Sequence, residues 1–433
     1  MAIECKNLTN GLRIATNGTY FACCHTFNAP FKNEKGWPLH AHRHSIEDAL
    51  NSHTRQEMLQ SFENDIRHPA CKVCWDAEDA GFQSKRQRDN TTYWKLAPTH
   101  IKDKIFFLEL NLGNTCNLAC RICHVSASSK WREYHRVNEP QMTDKEIDAY
   151  AAEFSRSFTD DSIVWSELKK IIPDVQQIDV YGGEPMLMKK QWEILDYCVK
   201  TGLAKKQQMS FNTNGTIITD KYVEILSSFK YCRIGFSIDG VGDRFHYLRY
   251  PGDWSTVNFN IKKWLEKTAH LPKETMVFEL ACTISALNAL YIFEIVDYVI
   301  ENKIKLFVSF VYNPVYLSVT NCPDDVKQKL LAILEPEMEK RMQKVEDMKY
   351  NLDIIEYEYL KATYRQAKKV IDTIKLPNKS NLAQWIELRR QTLALDEMRG
   401  ENFSETFPEA EEIFQMYGHT KPNLKINKTK TIL

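Results

Sequence analysis

Residues 105–123 read IFFLELNLGNTCNLACRIC, a run that ends in three cysteines, Cys116, Cys120 and Cys123. The apolar stretch Ile105–Leu112 has the length and composition of a buried strand, and the cysteines follow it on a loop. Thiolates separated by three and then two residues can wrap one face of a cubane iron–sulfur cluster. Protein-held clusters usually take four cysteine ligands. With three, one iron stays open, and an open iron can bind and activate another molecule.

Outward from this strand, residues 103–313 alternate between strand and helix. Strand-like runs are Ile105–Leu112, Gln177–Tyr181, Met209–Asn212, Cys232–Asp239, Val277–Ser285 and Lys305–Val311, with helical text such as Lys189–Lys200, Asp220–Phe229 and Leu287–Asn302 between them. The expectation is an α/β fold with a parallel sheet and helices outside it, curled into a partial (β/α)6 barrel. Sites in such barrels gather at the C-terminal ends of the strands. Residues 137–170 are longer and more acidic than a simple crossover requires, which suggests an inserted helix or lid.

Residues 1–85 read as a small α+β unit. A hairpin is expected at Asn17-Gly18, and helix starts at the capping boxes Ser45-x-x-Asp48 and Thr54-x-x-Glu57. Residues 86–102 read as a linker within the polar stretch Phe82–His100, where Lys85, Arg86 and Arg88 lie close together as a solvated basic group. Residues 320–433 form a helical region. Pro336 is expected to break or kink its first helix, and Ser380 to cap a later one. The tail from Lys421 onward is polar.

Composition sets loose bounds. The chain has 433 residues, 43% hydrophobic and 26% charged, with Lys+Arg and Asp+Glu both at 57. A net charge of zero gives no support to a nucleic-acid or membrane-surface partner. No apolar run approaches the roughly 18 residues needed to span a bilayer, and MAIECKNLTN lacks the features of a secretion signal. A cytoplasmic location is therefore expected, where twelve cysteines point to metal more than to disulfides.

Further motifs recur at the expected strand ends. Tyr181-Gly182-Gly183-Glu184-Pro185 ends the second strand; its glycines permit close backbone approach and Glu184 supplies an acceptor. Phe211-Asn212-Thr213-Asn214-Gly215 and Phe236-Ser237-Ile238-Asp239-Gly240 end the next two with short polar side chains. Thr283, Ser285 and Asn288 close the fifth strand as weaker candidates.

Taken with C-x3-C-x2-C, these residues resemble the radical S-adenosylmethionine (SAM) superfamily over about residues 103–313. The resemblance implies a [4Fe-4S] cluster on Cys116, Cys120 and Cys123, with SAM on the fourth iron. It also implies reductive cleavage of SAM to a 5′-deoxyadenosyl radical that takes hydrogen from a substrate. Gly182, Gly183, Glu184 and Pro185 look like the motif that receives the SAM amino group. Asn212, Asn214, Ser237 and Asp239 look like ribose or carboxylate contacts. The residue before the third cysteine, commonly aromatic in the family, is Ile122 here.

The pattern Cys5-x12-Gly18-x4-Cys23 with Cys71-x2-Cys74 resembles a twitch domain, a shortened relative of the SPASM domain, here placed before the barrel rather than after it. That resemblance implies an auxiliary [4Fe-4S] cluster on Cys5, Cys23, Cys71 and Cys74. Cys24 can exchange with Cys23, and four cysteines are also a structural zinc set. Cys198, Cys232, Cys282 and Cys322 read as buried apolar residues, and His40, His42 and His44 as part of a loop. Arg249 is the weak catalytic candidate, with pairing to a carboxylate as its alternative role.

Three functions follow. The first is hydrogen abstraction from a peptide or protein side chain. The second is oxidation of a small-molecule alcohol, and the third a non-catalytic iron–sulfur sensor or scaffold. The first two need an electron donor such as flavodoxin or ferredoxin, and intact strand-end motifs weigh against the third. Fold alone does not choose the substrate.

Overall fold

The computed structural model describes residues 3–79, 81–93, 104–111, 113–155, 162–377 and 382–418. Its sheet has eight strands: β1 (Gly11–Ile14), β2 (Tyr20–Phe21), β3 (Phe107–Asn111), β4 (Gln177–Tyr181), β5 (Gln208–Thr213), β6 (Tyr231–Ser237), β7 (Met276–Ile284) and β8 (Lys305–Phe310). From β3 to β8 every neighbouring pair is parallel and consecutive in sequence. This is the repeated strand–helix unit expected for a partial barrel.

Side-chain alternation gives the sheet two unlike faces. Met209, Phe211, Ile234, Phe236, Leu280 and Val308 are buried in the apolar core. The other face carries Ser210, Asn212, Arg233, Ser237 and Glu279, and there Arg233 pairs with Glu279 and donates to Asn212 at 3.1 Å. A polar inner face of this kind can surround a reactant.

The small separate unit expected over residues 1–85 is instead continuous with the barrel sheet. The Asn17-Gly18 hairpin forms, with Gly18 at φ +84. β1 also pairs in parallel with β3, placing Leu12 beside Leu108 and Ile14 beside Leu110. Leu8, Leu12 and Tyr20 share one core with Leu108 and Ile178. Sequence pattern reveals a hairpin but not the partner of its outer edge.

The linker is also corrected. Residues Lys85–Tyr93 are helix, and Lys85 is buried between Asp89 at 2.7 Å and Glu109 at 3.1 Å. Arg86 pairs with Glu78 at 2.6 Å. Carboxylates both near and far in sequence thus draw in two of the cations that read as solvated. The rest of the expected linker lies outside the described residues.

The acidic insertion contributes the helices Asp144–Ser155 and Ser162–Ile171. In the C-terminal region the long helices are Asp324–Asp347, Ile354–Ile374 and Leu382–Arg399. Pro336 lies inside the first without ending it. Burial of Leu330, Leu334, Met338 and Val345 along that helix offsets the ~3 kcal/mol that an interior proline costs. Ser45 caps its helix as expected, but the next begins at His53 with Ser52 as its cap, two residues ahead of Thr54. The expected Ser380 cap lies outside the described residues. Among the described residues no helix is long and apolar enough to cross a membrane.

Candidate functional site

The cysteine loop following β3 is clamped by backbone and cationic contacts. Ala119 N donates to Tyr250 O at 2.6 Å and Arg121 N to Leu248 O at 2.8 Å. Trp131 Nε1 donates to Cys120 O at 2.8 Å and Arg399 Nη2 to Ala119 O at 2.7 Å. Buried Arg121 stacks 3.5 Å from the Tyr247 ring and ion-pairs with Asp396 and Glu401. The C-terminal helix Leu382–Arg399 therefore braces the loop from behind, a role that its apolar pattern alone did not show.

Cys116, Cys120 and Cys123 line one cavity of about 280 Å³, together with Gly182, Gly183, Asn212, Asn214, Ser237 and Arg249. Leu118, Ile122 and Ala127 form apolar wall, and Tyr181 and Thr213 complete the lining. Segments remote in sequence thus converge at the C-terminal ends of β3, β4, β5 and β6.

The glycine pair has a specific steric cause. A Cβ on Gly183 would lie 2.3 Å from Thr115 O, and one on Gly182 would lie 2.9 Å from Asn111 Oδ1. Gly183 N donates to Gly113 O at 3.2 Å and Glu184 N to Thr115 O at 2.8 Å. The strand end therefore lies directly on the backbone leading into Cys116.

Three expected ligand contacts are not part of the cavity lining. Glu184 is wholly buried, and its carboxylate accepts from Met186 N at 3.0 Å, Thr213 Oγ1 at 2.8 Å and Asn214 N at 2.7 Å. It ties the end of β4 to the end of β5. Burial pushes its carboxyl up to about 7, against those three donors. Pro185 opens the short turn behind it, buried. Asp239 pairs with Arg249 at 2.8 Å and accepts from Thr283 N at 2.9 Å. Asn288 Nδ2 donates to Asp239 O at 2.9 Å, and Ser285 N and Oγ donate to Asn288 Oδ1, so all three weaker candidates brace this corner.

Arg249 takes the carboxylate-paired role and still reaches the cavity, with Nη1 3.9 Å from Cys120 Sγ. Burial raises the pKa of all three loop thiols, Cys120 to about 12. Thiolates in this setting need a strong positive partner, and an iron–sulfur cluster is one. The donor set and its shared cavity fit such a group.

A second cavity, of about 20 Å³, is lined by Cys5, Cys23, Cys71 and Cys74 with His25, Lys85 and Arg86. Cys24, beside Cys23, is not part of that lining. Burial pushes Cys5 up to about 11 and Cys71 to about 12. Among the described residues no three His, Cys, Asp or Glu side chains gather closely enough for a single metal ion. Four thiols on one cavity are a donor set for a polynuclear cluster or for tetrahedral zinc.

β2 runs antiparallel to β1, so Cys23 emerges at the end of the sheet where β3 begins, whereas Cys116 follows the end of β3. The cysteine sets therefore lie at opposite ends of the same strands, separated by ~15 Å for strands rising ~3.3 Å per residue. The isolated Cys198, Cys232, Cys282 and Cys322 are buried, as expected. His40 and His44 pack into a turn, where His40 N donates to His44 Nδ1 at 3.0 Å. Tyr181, Thr213, Lys85 and the Arg121–Arg399 brace were missed as site residues, because only register and tertiary pairing bring them there.

Residues 110–270 match the family described as the radical SAM superfamily. A curated protein, the mycofactocin maturase MftC of Mycolicibacterium smegmatis, is 27% identical over 133 residues, 31% of this chain and 27% of that protein. The chain thus aligns with about a quarter of that relative. Solved structures give weaker likenesses. Streptococcus suis SuiB bound to precursor peptide SuiA has a TM-score of 0.34 at 16% identity, over 63% of this chain and 60% of that one. anSMEcpe with bound AdoMet has a TM-score of 0.37 at 19% identity, over 55% and 60%.

Proposed function

Through residues 110–270 this chain belongs to the radical SAM superfamily, and we propose that it abstracts hydrogen from a peptide or protein side chain with the help of an auxiliary iron–sulfur cluster. The observation that carries this reading is the pair of cysteine cavities at opposite ends of β3 and β4, with a polar inner face between them. A reactant held there would meet one site from above and the other from below.

Cys116, Cys120 and Cys123 would hold the family's [4Fe-4S] cluster. Gly182, Gly183, Asn212, Asn214 and Ser237 line the space offered to SAM. Bound to that cluster and reduced by a flavodoxin- or ferredoxin-type donor, SAM supplies hydrogen-atom abstraction. Glu184 holds the ends of β4 and β5 in register, and Arg249 sets a buried positive charge beside the Cys120 thiolate. Leu118, Ile122 and Ala127 keep water from the reacting atoms. Cys5, Cys23, Cys71 and Cys74 would hold the auxiliary cluster, with Lys85 and Arg86 offsetting its negative charge. Reduced thiols in both places suit a cytoplasmic setting.

A peptide is favoured over a small alcohol by apolar side chains exposed just past the strand ends. Leu187 follows β4, and Tyr312 and Val315 follow β8. They offer contacts that a side chain with flanking backbone can use. Anaerobic reconstitution tests the reading: about eight iron per chain and SAM cleavage on reduction are expected. Hydrogen transfer from a peptide pool into 5′-deoxyadenosine supports the peptide assignment, and transfer from small alcohols alone overturns it. Absence of SAM cleavage overturns the whole reading.

A further inference from the structure

Between the two cavities, β3 and β4 carry a continuous row of polar side chains on one face of the sheet. Register sets Glu109 beside Asp179, and alternation puts Gln177, Asp179 and Tyr181 on the same side of β4. Tyr181 Oη donates to Asp179 Oδ2 at 3.4 Å, and Gln177 Nε2 donates to Asp179 Oδ1 at 2.6 Å and Ser210 Oγ at 3.1 Å. Glu109 lies 3.1 Å from Lys85 Nζ, which also pairs with Asp89. Tyr181 belongs to the lining of the three-cysteine cavity and Lys85 to that of the four-cysteine cavity. The row therefore runs from one to the other.

We propose that Tyr181 and Asp179 form the proton outlet of the reaction chamber, with Tyr181 Oη facing the reactant and Asp179 receiving the proton behind it. The inference rests on the function proposed above. SAM held in the three-cysteine cavity, once reduced by one external electron, would take one hydrogen atom from the substrate. A cluster held by Cys5, Cys23, Cys71 and Cys74 would take up the one electron that the substrate releases. The remaining substrate proton goes to Tyr181 Oη as its own proton moves to Asp179 Oδ2, so the substrate gains a double bond and Asp179 ends as a neutral acid. Tyr181 touches the reactant; Asp179 acts through it.

The charges around Asp179 favour this. Glu109 on β3 and Asp89 on the helix Lys85–Tyr93 oppose its ionisation, while Lys85 supports it. Arg13 on β1 stands beside Glu109 in register, and Arg233, on the far side of β5, is tied to Glu279. Burial first, then the Glu109 charge, hold the Asp179 carboxyl above the usual range, which makes its carboxylate a better proton acceptor.

Infrared titration of the full metal-free chain tests the outlet. A carboxyl C=O component that persists above the ordinary aspartate range, beyond the one Glu184 contributes and read as the difference from Asp179→Asn, is expected. Asp179→Asn should remove it, Asp179→Glu should shift its frequency while keeping the titration, and Glu109→Gln should move the titration to lower pH. Tyr181→Phe should leave the equilibrium in place but slow relaxation after a pH jump by roughly a hundredfold, as loss of a positioned proton donor does. Absence of such a band, or equally fast relaxation in Tyr181→Phe, overturns the proposal. Calorimetry with SAM on the reconstituted wild type separates the two readings: failure to bind SAM overturns the proposed function even where the carboxyl titrates as expected.

Discussion

The two cysteine sites are built in opposite ways. The three cysteines of one lie within eight residues on a single loop, and distant segments serve to stiffen it. Those of the other are Cys5 just before the helix Lys6–Asn10, Cys23 two residues past β2, Cys71 just before the helix Lys72–Asp79 and Cys74 inside it, and they meet only when β1 has joined the sheet. A site of the first kind keeps its donors together wherever the loop goes. The second depends on the whole N-terminal segment being in place, so perturbation should separate them.

Cysteine removal should break the comparison most sharply. Cys116→Ala should abolish SAM cleavage altogether. Cys71→Ala should keep it while iron falls from about eight to about four per chain. Liquid chromatography of 5′-deoxyadenosine and an iron assay read both, and equal loss in the two variants would show the sites to be one functional unit.

Arg121→Ala should come next, at about 3–5 kcal/mol of stability, because it leaves Asp396 and Glu401 buried beside the loop without their cation. Urea unfolding of the metal-free chain measures this. Since Arg121 serves only the three-cysteine loop, iron on the four-cysteine site should be retained in the fraction that folds.

Glu184 gives a pH signature. Its folded carboxyl is raised from 4.5 to about 7, so the native state holds a proton that the unfolded chain has released. Stability should be greatest below pH 4.5 and decline as pH rises to about 7, by at most ~3 kcal/mol. Glu184→Gln should flatten that slope in thermal melts between those limits.

The smallest effect is expected at Ile122. Replacement by Phe supplies an aromatic face to the cavity and should tighten SAM binding about threefold, at the lower end of aromatic contact energies. Calorimetry on the reconstituted protein would show it.

Much of this was legible in the sequence because it is local. The cysteine loop, the glycine pair and the six barrel strands each follow from spacing or alternation within a dozen residues. What stayed hidden depends on partners far along the chain. Lys85 read as solvent-facing because Glu109 is remote in sequence, although its i+4 neighbour Asp89 was in view. Glu184 read as a ligand contact because its three internal donors belong partly to another strand. Pro336 read as a break because proline's local cost is visible and the packing that outweighs it is not.

The parallel pairing of β1 with β3 sets an order of events during synthesis. Leu12 and Leu108 are neighbours across the sheet but roughly a hundred residues apart along the chain, so this contact closes late. Cys5 and Cys23 leave the ribosome long before the strand that will seat them. Metal delivered before β3 emerges would meet scattered thiols, so a cluster of the kind proposed there would have to wait on translation.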